Sequence, residues 1–332
     1  MQYRTLGRSG LRVSPIALGT MNFGPVTAES DAHVIMDAAF DHGVNLFDTA
    51  DVYGADANRT IADHSPAKGL TEEIIGRWLG ARPGRRDRIV LISKAYGRMG
   101  EGPNDMYLSA GHLRRACEAS LRRLNTDHLD VFMLHHVDRA TGWAELWEVL
   151  TDLRREGKIR YAGTSNFAGW QLAQGQEAAR ARQLFGLVAE ESIYNLMERT
   201  VELEVLPACR AYGIGLLPYS PLNSGLLGGI LAKERTAARS ASARAIDHLA
   251  RRREQIRDFE TLCAELGSPA AVVAQAWLCH QEGVTAPIVG ARTLSHLEDG
   301  VAAARLTLSP SELTALDSIF PGPGPAPEAY AW

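Results

Sequence analysis

Short, nearly continuous apolar runs alternate eight times with amphipathic stretches along this chain, and that alternation limits its fold more than any other feature. The runs are residues 15–20 (PIALGT), 44–48 (VNLFD), 89–94 (IVLISK), 129–135 (LDVFMLH), 159–164 (IRYAGT), 187–191 (LVAEE), 214–219 (IGLLPY) and 284–289 (VTAPIV). A run without polar alternation suits a strand covered on both faces. Between the runs, 31–42 sets Val34, Ile35, Ala38 and Ala39 on one helical stripe, and 113–124 does the same with Ala116, Cys117, Ser120 and Leu121. Residues 143–155 and 198–212 follow suit. Strand–helix alternation implies a parallel sheet. Eight such units in 332 residues suit a closed (β/α)8 barrel of the α/β class better than an open sheet. The expected organisation is one barrel domain over 1–332.

Three segments depart from the alternation. Two short segments flank Gly7-Arg8-Ser9-Gly10, so residues 1–14 read as a β-hairpin, either a plug for the barrel's bottom or an ordinary edge hairpin. Residues 52–70 and 222–249 read as long loops on the C-terminal face, the second after the seventh strand, and long loops in compact domains are usually functional. The tail, 320–332, ends in PGPGPAPEAYAW and reads as flexible, too rich in Pro and Gly for a helix or central strand. Arg251-Arg252-Arg253 reads as a solvated helix face.

The net charge of −4 shows no basic excess for nucleic acid or an anionic membrane. No apolar run approaches the ~18 residues that span a bilayer, and the polar start MQYRTLGRSGLRVS is no signal peptide. The four cysteines are scattered, without metal-ligand spacing, so no metal is expected and a reducing, cytoplasmic setting fits.

Barrel enzymes act at the C-terminal ends of their strands. The second run ends in Asp48, with Tyr53 in the loop beyond; the third ends in Lys94 and the fourth in His135. Each has an ordinary reading alone: a turn cap, an amphipathic rim residue, a surface lysine, a satisfied core histidine. Together, at successive strand ends, they have a chemical logic. Reducing a carbonyl by hydride transfer leaves an alkoxide that needs a proton. Tyr, with an ordinary pKa of ~10, becomes a better acid beside an ammonium. Asp48 fixes and balances that ammonium, and a neutral His135 orients the carbonyl.

These segments closely resemble the aldo-keto reductase superfamily, from about Tyr3 to about Leu316. YRTLGRSGLRVSPIALGTMNFG is similar to that family's hairpin and first strand, GVNLFDTADVYG to its Asp/Tyr signature, and LISKAYG and LDVFMLHHVD to its lysine and histidine signatures. IRYAGTSNF, IYNLMER, LLPYSPLNSGLLGG and VTAPIVGARTLSHLED are similar to its cofactor segments, in the family's order. The resemblance implies Tyr53 as general acid, Lys94 and Asp48 as its tuning pair, and His135 as carbonyl orienter. It implies that Gly19, Thr20 and Met21 line a nicotinamide pocket, that Ser165 and Asn166 bind the carboxamide, and that Tyr219 stacks on the ring. Ser220, Pro221, Leu222 and Ser224 would follow the pyrophosphate, and Gly290 and Arg292 would meet the adenosine end. A guanidinium suits a 2′-phosphate, which favours NADPH over NADH; Arg292 also reads as a solvated helix-start residue.

The chain departs from the family at three places. Glu191 replaces a usual glutamine and would accept from the carboxamide, His296 replaces another, and Asp299-Gly300 replaces Glu-Asn, the asparagine of which contacts adenine. The expected substrate is a small neutral or hydrophobic aldehyde or ketone, because the loops 21–25, 96–107 and 222–249 offer Phe23, Tyr96, Met99, Met106 and Tyr107, with Arg98 the sole basic clamp candidate in the first two. Other readings are an NADP-binding interaction barrel, an NADP-dependent alcohol or sugar dehydrogenase, and a hydrolase using Asp48 and Glu191. The oligomeric state is not legible.

Overall fold

The computed structural model describes residues 1–54, 69–235 and 243–331. A two-stranded antiparallel hairpin, β1 (Arg4–Thr5) and β2 (Arg12–Val13), precedes eight parallel strands. These are β3 (Ala17–Gly19), β4 (Leu46–Asp48), β5 (Val90–Ala95), β6 (Leu129–Leu134), β7 (Ile159–Ser165), β8 (Leu187–Ile193), β9 (Gly215–Tyr219) and β10 (Ile288–Val289). The hydrogen-bonded order is β10-β3-β4-β5-β6-β7-β8-β9. A parallel bridge from Leu216 to Val284 brings the last seam together, giving a nearly closed (β/α)8 barrel.

Helices cover its outside: α1 (Glu29–Asp41), α2 (Leu70–Gly80), α3 (Ala110–Leu124), α4 (Trp143–Arg155), α5 (Gly169–Arg180), α6 (Val205–Tyr212), α7 (Ile230–Arg235), α8 (Ala243–Glu265), α9 (Ala270–His280), α10 (Leu294–Ala303), α11 (Pro310–Ile319) and α12 (Glu328–Ala331). Local chemistry sets their ends. Ser109 caps α3 by accepting from the His112 N–H, and Asn125 closes it in the left-handed region. Ser309 and Glu312 form a capping box on α11, with Pro310 in its first turn. Leu113 and Leu124 are wholly buried on α3, so truncating either to Ala costs about 2–5 kcal/mol.

The hairpin is a plug. Leu6 and Val13 join the barrel's interior cluster with Ala17, Leu46, Val90, Ile92, Val131, Met133, Ala189 and Leu217. A Cβ at Gly7 would stand 2.5 Å from the Val188 carbonyl oxygen, and its φ is +53°, so the turn needs glycine. Asn45 ties plug to barrel: its Oδ1 accepts from Ser14 N at 2.7 Å and its Nδ2 donates to Arg12 O at 2.8 Å.

Several sequence expectations need correction. Val34 is 54% exposed, outside the buried stripe of α1 that Ile35 and Ala39 share. The helix read over 198–212 is a 3-10 turn, Thr200–Glu202, followed by α6. The eighth run contracts to β10, with Pro287 unable to donate to a ladder. The segment 222–249 is more than loop: a 3-10 turn at Asn223–Gly225, α7 and the start of α8 lie in it, seated by buried Leu226, Leu227, Ile230 and Leu231. Most of 52–70 (residues 55–68), together with 236–242, falls outside the described residues. The tail carries the single turn α12, in which Ala331 N donates to Pro327 O at 2.9 Å. Arg251, Arg252 and Arg253 are exposed on α8, as expected.

Candidate active site

Strand periodicity aims the polar residues inward. Side chains alternate faces along a strand, so a polar residue two positions beyond a barrel-interior residue also points inward. Asp48 follows Leu46; Lys94 follows Val90 and Ile92; His135 follows Val131 and Met133; Glu191 follows Ala189; Tyr219 follows Leu217. An apolar interior and the plug below thus give way to a polar floor above.

Lys94 is the centre of that floor and is 0% exposed. Its ammonium pairs with Asp48 and meets Thr49 O at 3.0 Å, Glu191 Oε2 at 3.2 Å and the Tyr53 hydroxyl at 3.4 Å. An ammonium carries three protons, so four oxygens compete for them and Tyr53, the most distant, holds the weakest claim. Burial alone would lower the Lys94 pKa, but Asp48 and Glu191 outweigh it and hold the ammonium charged. Burial drives the Tyr53 hydroxyl above its ordinary value. Lys94 acts in the expected acidifying direction, yet burial with the Asp48 and Glu191 charges exceeds it. Tyr53 therefore rests firmly protonated.

His135 lies edge-on to Tyr53, with ring centres 5.8 Å apart. Burial, then Lys94 and His136, push its pKa well down, so it is neutral. Among the described residues, its Nδ1 is buried without a partner. His136 stacks on it at 5.0 Å and is pushed down to about 4 by burial and Lys94. Tyr96 meets His136 at 5.3 Å and Tyr107 at 5.5 Å, both edge-on. A chain of rings, Tyr53–His135–His136–Tyr96–Tyr107, thus climbs from the floor to the rim, where Tyr107 is exposed at a φ of +69°.

The residues expected at the nicotinamide end come together. Gly19 pairs with Asp48 across β3 and β4, and a Cβ there would stand 2.6 Å from Ile288. Thr20 donates its hydroxyl to Asp48 O at 2.8 Å, and Met21 stands 61% exposed on the rim. Asn166, at a φ of +64°, accepts from the Tyr219 hydroxyl at 2.8 Å and donates to Ser165 Oγ at 2.9 Å and His135 O at 3.3 Å. Past β9, Ser220, Asn223 and Ser224 all adopt positive φ around buried Pro221 and half-buried Leu222. At the far end, Asn22 donates to Gly290 O and Thr27 to Arg292 O. Arg292 and His296 are exposed and Asp299 is half-buried at α10, which Thr293 caps. Gly300 is buried against Val289, where a Cβ would come within 2.9 Å of its side chain.

Other expected pocket residues differ. Phe23 is fully buried, a core residue rather than a pocket wall. Arg98 is spent on its own loop, donating to Gly100 O at 3.1 Å and Gly102 O at 3.3 Å. Glu191, expected to accept from a carboxamide, meets Lys94 through Oε2 at 3.2 Å. Asp48 and Glu191 share one ammonium, too close to flank a glycosidic bond as a hydrolase pair would. His136 was legible only as half of a histidine doublet, and nothing in the sequence signals that Asp51 is fully buried, with no side-chain partner for its carboxyl among the described residues.

A model of the aldo/keto reductase family matches residues 15–320. The chain belongs to that family. It is an oxidoreductase, and the family generally works with nicotinamide cofactors on carbonyl compounds. Among its relatives, a Bacillus subtilis (strain 168) protein named Uncharacterized oxidoreductase YrpG is 46% identical over 100% of both chains. The versiconal hemiacetal acetate reductase of Aspergillus parasiticus is 32% identical, covering 96% of this chain and 97% of its own. A probable voltage-gated potassium channel subunit beta of Arabidopsis thaliana is 32% identical over 99% and 100%. Among the described residues, no single helix is long and apolar enough to cross a membrane.

Proposed function

We propose that this aldo/keto reductase uses NADPH to reduce a neutral, hydrophobic aldehyde or ketone to the alcohol, with Tyr53 as proton donor. The observation that carries the reading is the buried Lys94 ammonium held by Asp48 with the Tyr53 hydroxyl 3.4 Å away, beside a neutral His135.

The residues fit a nicotinamide dinucleotide. Tyr219 is fixed by its bond to Asn166, so its half-buried ring offers a stable face. Ser220, Asn223 and Ser224 present a left-handed turn next to it, a geometry that turns backbone N–H groups toward an anion. The capped N-terminus of α10, with exposed Arg292 ahead of it, suits a phosphate. Bound there, NADPH would supply the hydride. His135, kept neutral, donates a hydrogen bond that orients the carbonyl. Tyr53, kept protonated by burial, releases its proton to the nascent alkoxide, and Lys94 balances the phenolate that remains.

The ring chain from Tyr53 to Tyr107 supports a neutral, preferably aryl, substrate. Similarity to a channel subunit raises a second reading, a binding barrel without turnover; the intact Asp48, Tyr53, Lys94 and His135 set favours catalysis. The test is NADPH oxidation with an activated aryl aldehyde. Turnover that collapses in Tyr53→Phe and weakens with NADH supports the proposal; NADPH binding without turnover on a broad carbonyl panel supports the second reading.

A further inference from the structure

Asp48 is 3% exposed and Glu191 2%, and both lie on Lys94 Nζ. The Glu191 carboxyl also meets that of Asp48, and among the described residues its Oε1 is buried with no partner. Two carboxylates around one ammonium would leave a net negative charge in a dry interior, directly beside Tyr53. Such a charge is expensive to bury, and carboxyls forced together relieve it by keeping a proton.

Among the described residues, the other groups facing this point supply no second positive charge, and Asp51, fully buried in the loop after β4, adds only a carboxyl. The rest are Tyr53, half-buried in the loop after β4; neutral His135 beyond β6; and Tyr219 at the end of β9. Ser165 of β7 does not titrate. Glu190 points to the opposite side of β8, where it accepts from Thr164, Ser192 and the Phe167 N–H.

We propose that Glu191 is a proton-holding positioning residue, neutral in the working enzyme, which shares Lys94 with Asp48 and so keeps the cluster around Tyr53 uncharged. The proposal rests on Tyr53 as proton donor. The charge count explains the effect. With Glu191 protonated, Lys94 and Asp48 cancel, and proton release by Tyr53 adds one negative charge. With Glu191 ionised, the same release adds a second negative charge to an already negative cluster. Tyr53 then ceases to act as an acid. Burial first, and then the Asp48 charge, raise the Glu191 carboxyl well above its ordinary range, which agrees with this assignment. The family's usual glutamine would hold the cluster neutral at every pH; glutamate makes that neutrality titratable.

Two measurements on the full chain test this. The first is infrared spectroscopy of the protonated-carboxyl C=O stretch, comparing the unaltered protein with Glu191→Gln. The expected result is a protonated-carboxyl band at neutral pH that Glu191→Gln removes and Glu190→Gln leaves in place. Superimposable spectra in that region at every pH overturn the proposal. The second is the pH profile of kcat for aldehyde reduction. In Glu191→Gln the alkaline limb is expected to move up by about one pH unit or more, the size of a like-charge effect in a shared site. An unmoved limb in an active variant also overturns the proposal. If Glu191→Gln does not fold, the band in Glu190→Gln carrying Asp51→Asn as well, which removes the other buried acid, is titrated with pH: its absence at neutral pH overturns the assignment. A band present in a protein without turnover leaves the proton on Glu191 and removes only the reductase reading.

Discussion

The Lys94 ammonium stands 3.4 Å from the Tyr53 hydroxyl and 5.1 Å from the centre of the same ring. One contact involves the oxygen, the other the ring face, and a single substitution separates them. Tyr53→Phe keeps the ring and its cation–π contact and deletes only the transferable proton. The expected loss in kcat/KM is about 10²–10⁴-fold, the range for a positioned proton donor. Thermal stability and NADPH affinity should hardly change. A loss of both together with activity would make Tyr53 a structural residue.

Lys94→Met removes the cation from two buried carboxyls. Breaking a buried ion pair from one side costs about 3–5 kcal/mol, because the remaining charge has no partner. The sign with pH follows from the carboxyls. Without Lys94 the carboxylate charge it balanced is left buried alone; protonation at low pH relieves it, so the deficit grows as pH rises. Denaturant unfolding at pH 5 and pH 8 should therefore show the larger loss at pH 8. Equal losses would place the cause in packing alone.

This pairing also marks what the sequence could and could not reveal. Asp48, Lys94 and His135 were legible because each ends a run whose period of two carries it to the barrel interior. Glu191 ends such a run as well, but its association with Lys94 depends on the curvature that brings β8 across to β5. No local pattern encodes that distance. Val34 failed for a related reason: its place on an apolar helical stripe is local, whereas its exposure depends on how α1 seats against its neighbours. The helices within 222–249 were missed because glycines at 225, 228 and 229 obscured the leucines that seat them.

Glu190 is buried in a nest of neutral donors: Thr164 Oγ1 at 2.5 Å, Ser192 Oγ at 2.8 Å and Phe167 N at 3.1 Å. Burial pushes its carboxyl up to about 7 despite these bonds. The folded state then holds a proton that the unfolded state, near 4.5, has released. Stability conferred by this group is present below about pH 4.5 and is lost as pH rises through about 7. The loss amounts to about 3 kcal/mol at 1.36 kcal/mol per pKa unit. Glu190→Gln should remove that slope, gaining on the unaltered protein between pH 5 and pH 8. Parallel stability curves for the two proteins would rule the effect out.

Arg292 is exposed just ahead of the Thr293 cap of α10, and its backbone is anchored by Thr27. A guanidinium there can fork onto a 2′-phosphate, a charged hydrogen bond worth about 1.5–3 kcal/mol. Arg292→Ala is expected to raise the KM for NADPH roughly 10- to 100-fold and to leave that for NADH nearly unchanged. Equal effects on both cofactors would mean that Arg292 touches what the two share, or only supports the helix start.

Tyr96 joins His136 to Tyr107 through two edge-on contacts, at 5.3 Å and 5.5 Å. Removing its ring breaks the aromatic wall midway while leaving Lys94, Tyr53 and His135 untouched. An aromatic pair contributes about 0.5–1.5 kcal/mol beyond its buried area. Tyr96→Ala should therefore raise KM for an aryl aldehyde roughly 3- to 10-fold, with a smaller change in kcat. A short aliphatic aldehyde, which cannot stack, should show little change in either constant. Equal penalties for aryl and aliphatic substrates would mean that Tyr96 supports the loop rather than meeting the substrate, and the preference for aryl carbonyls would have to be sought in another wall of the site.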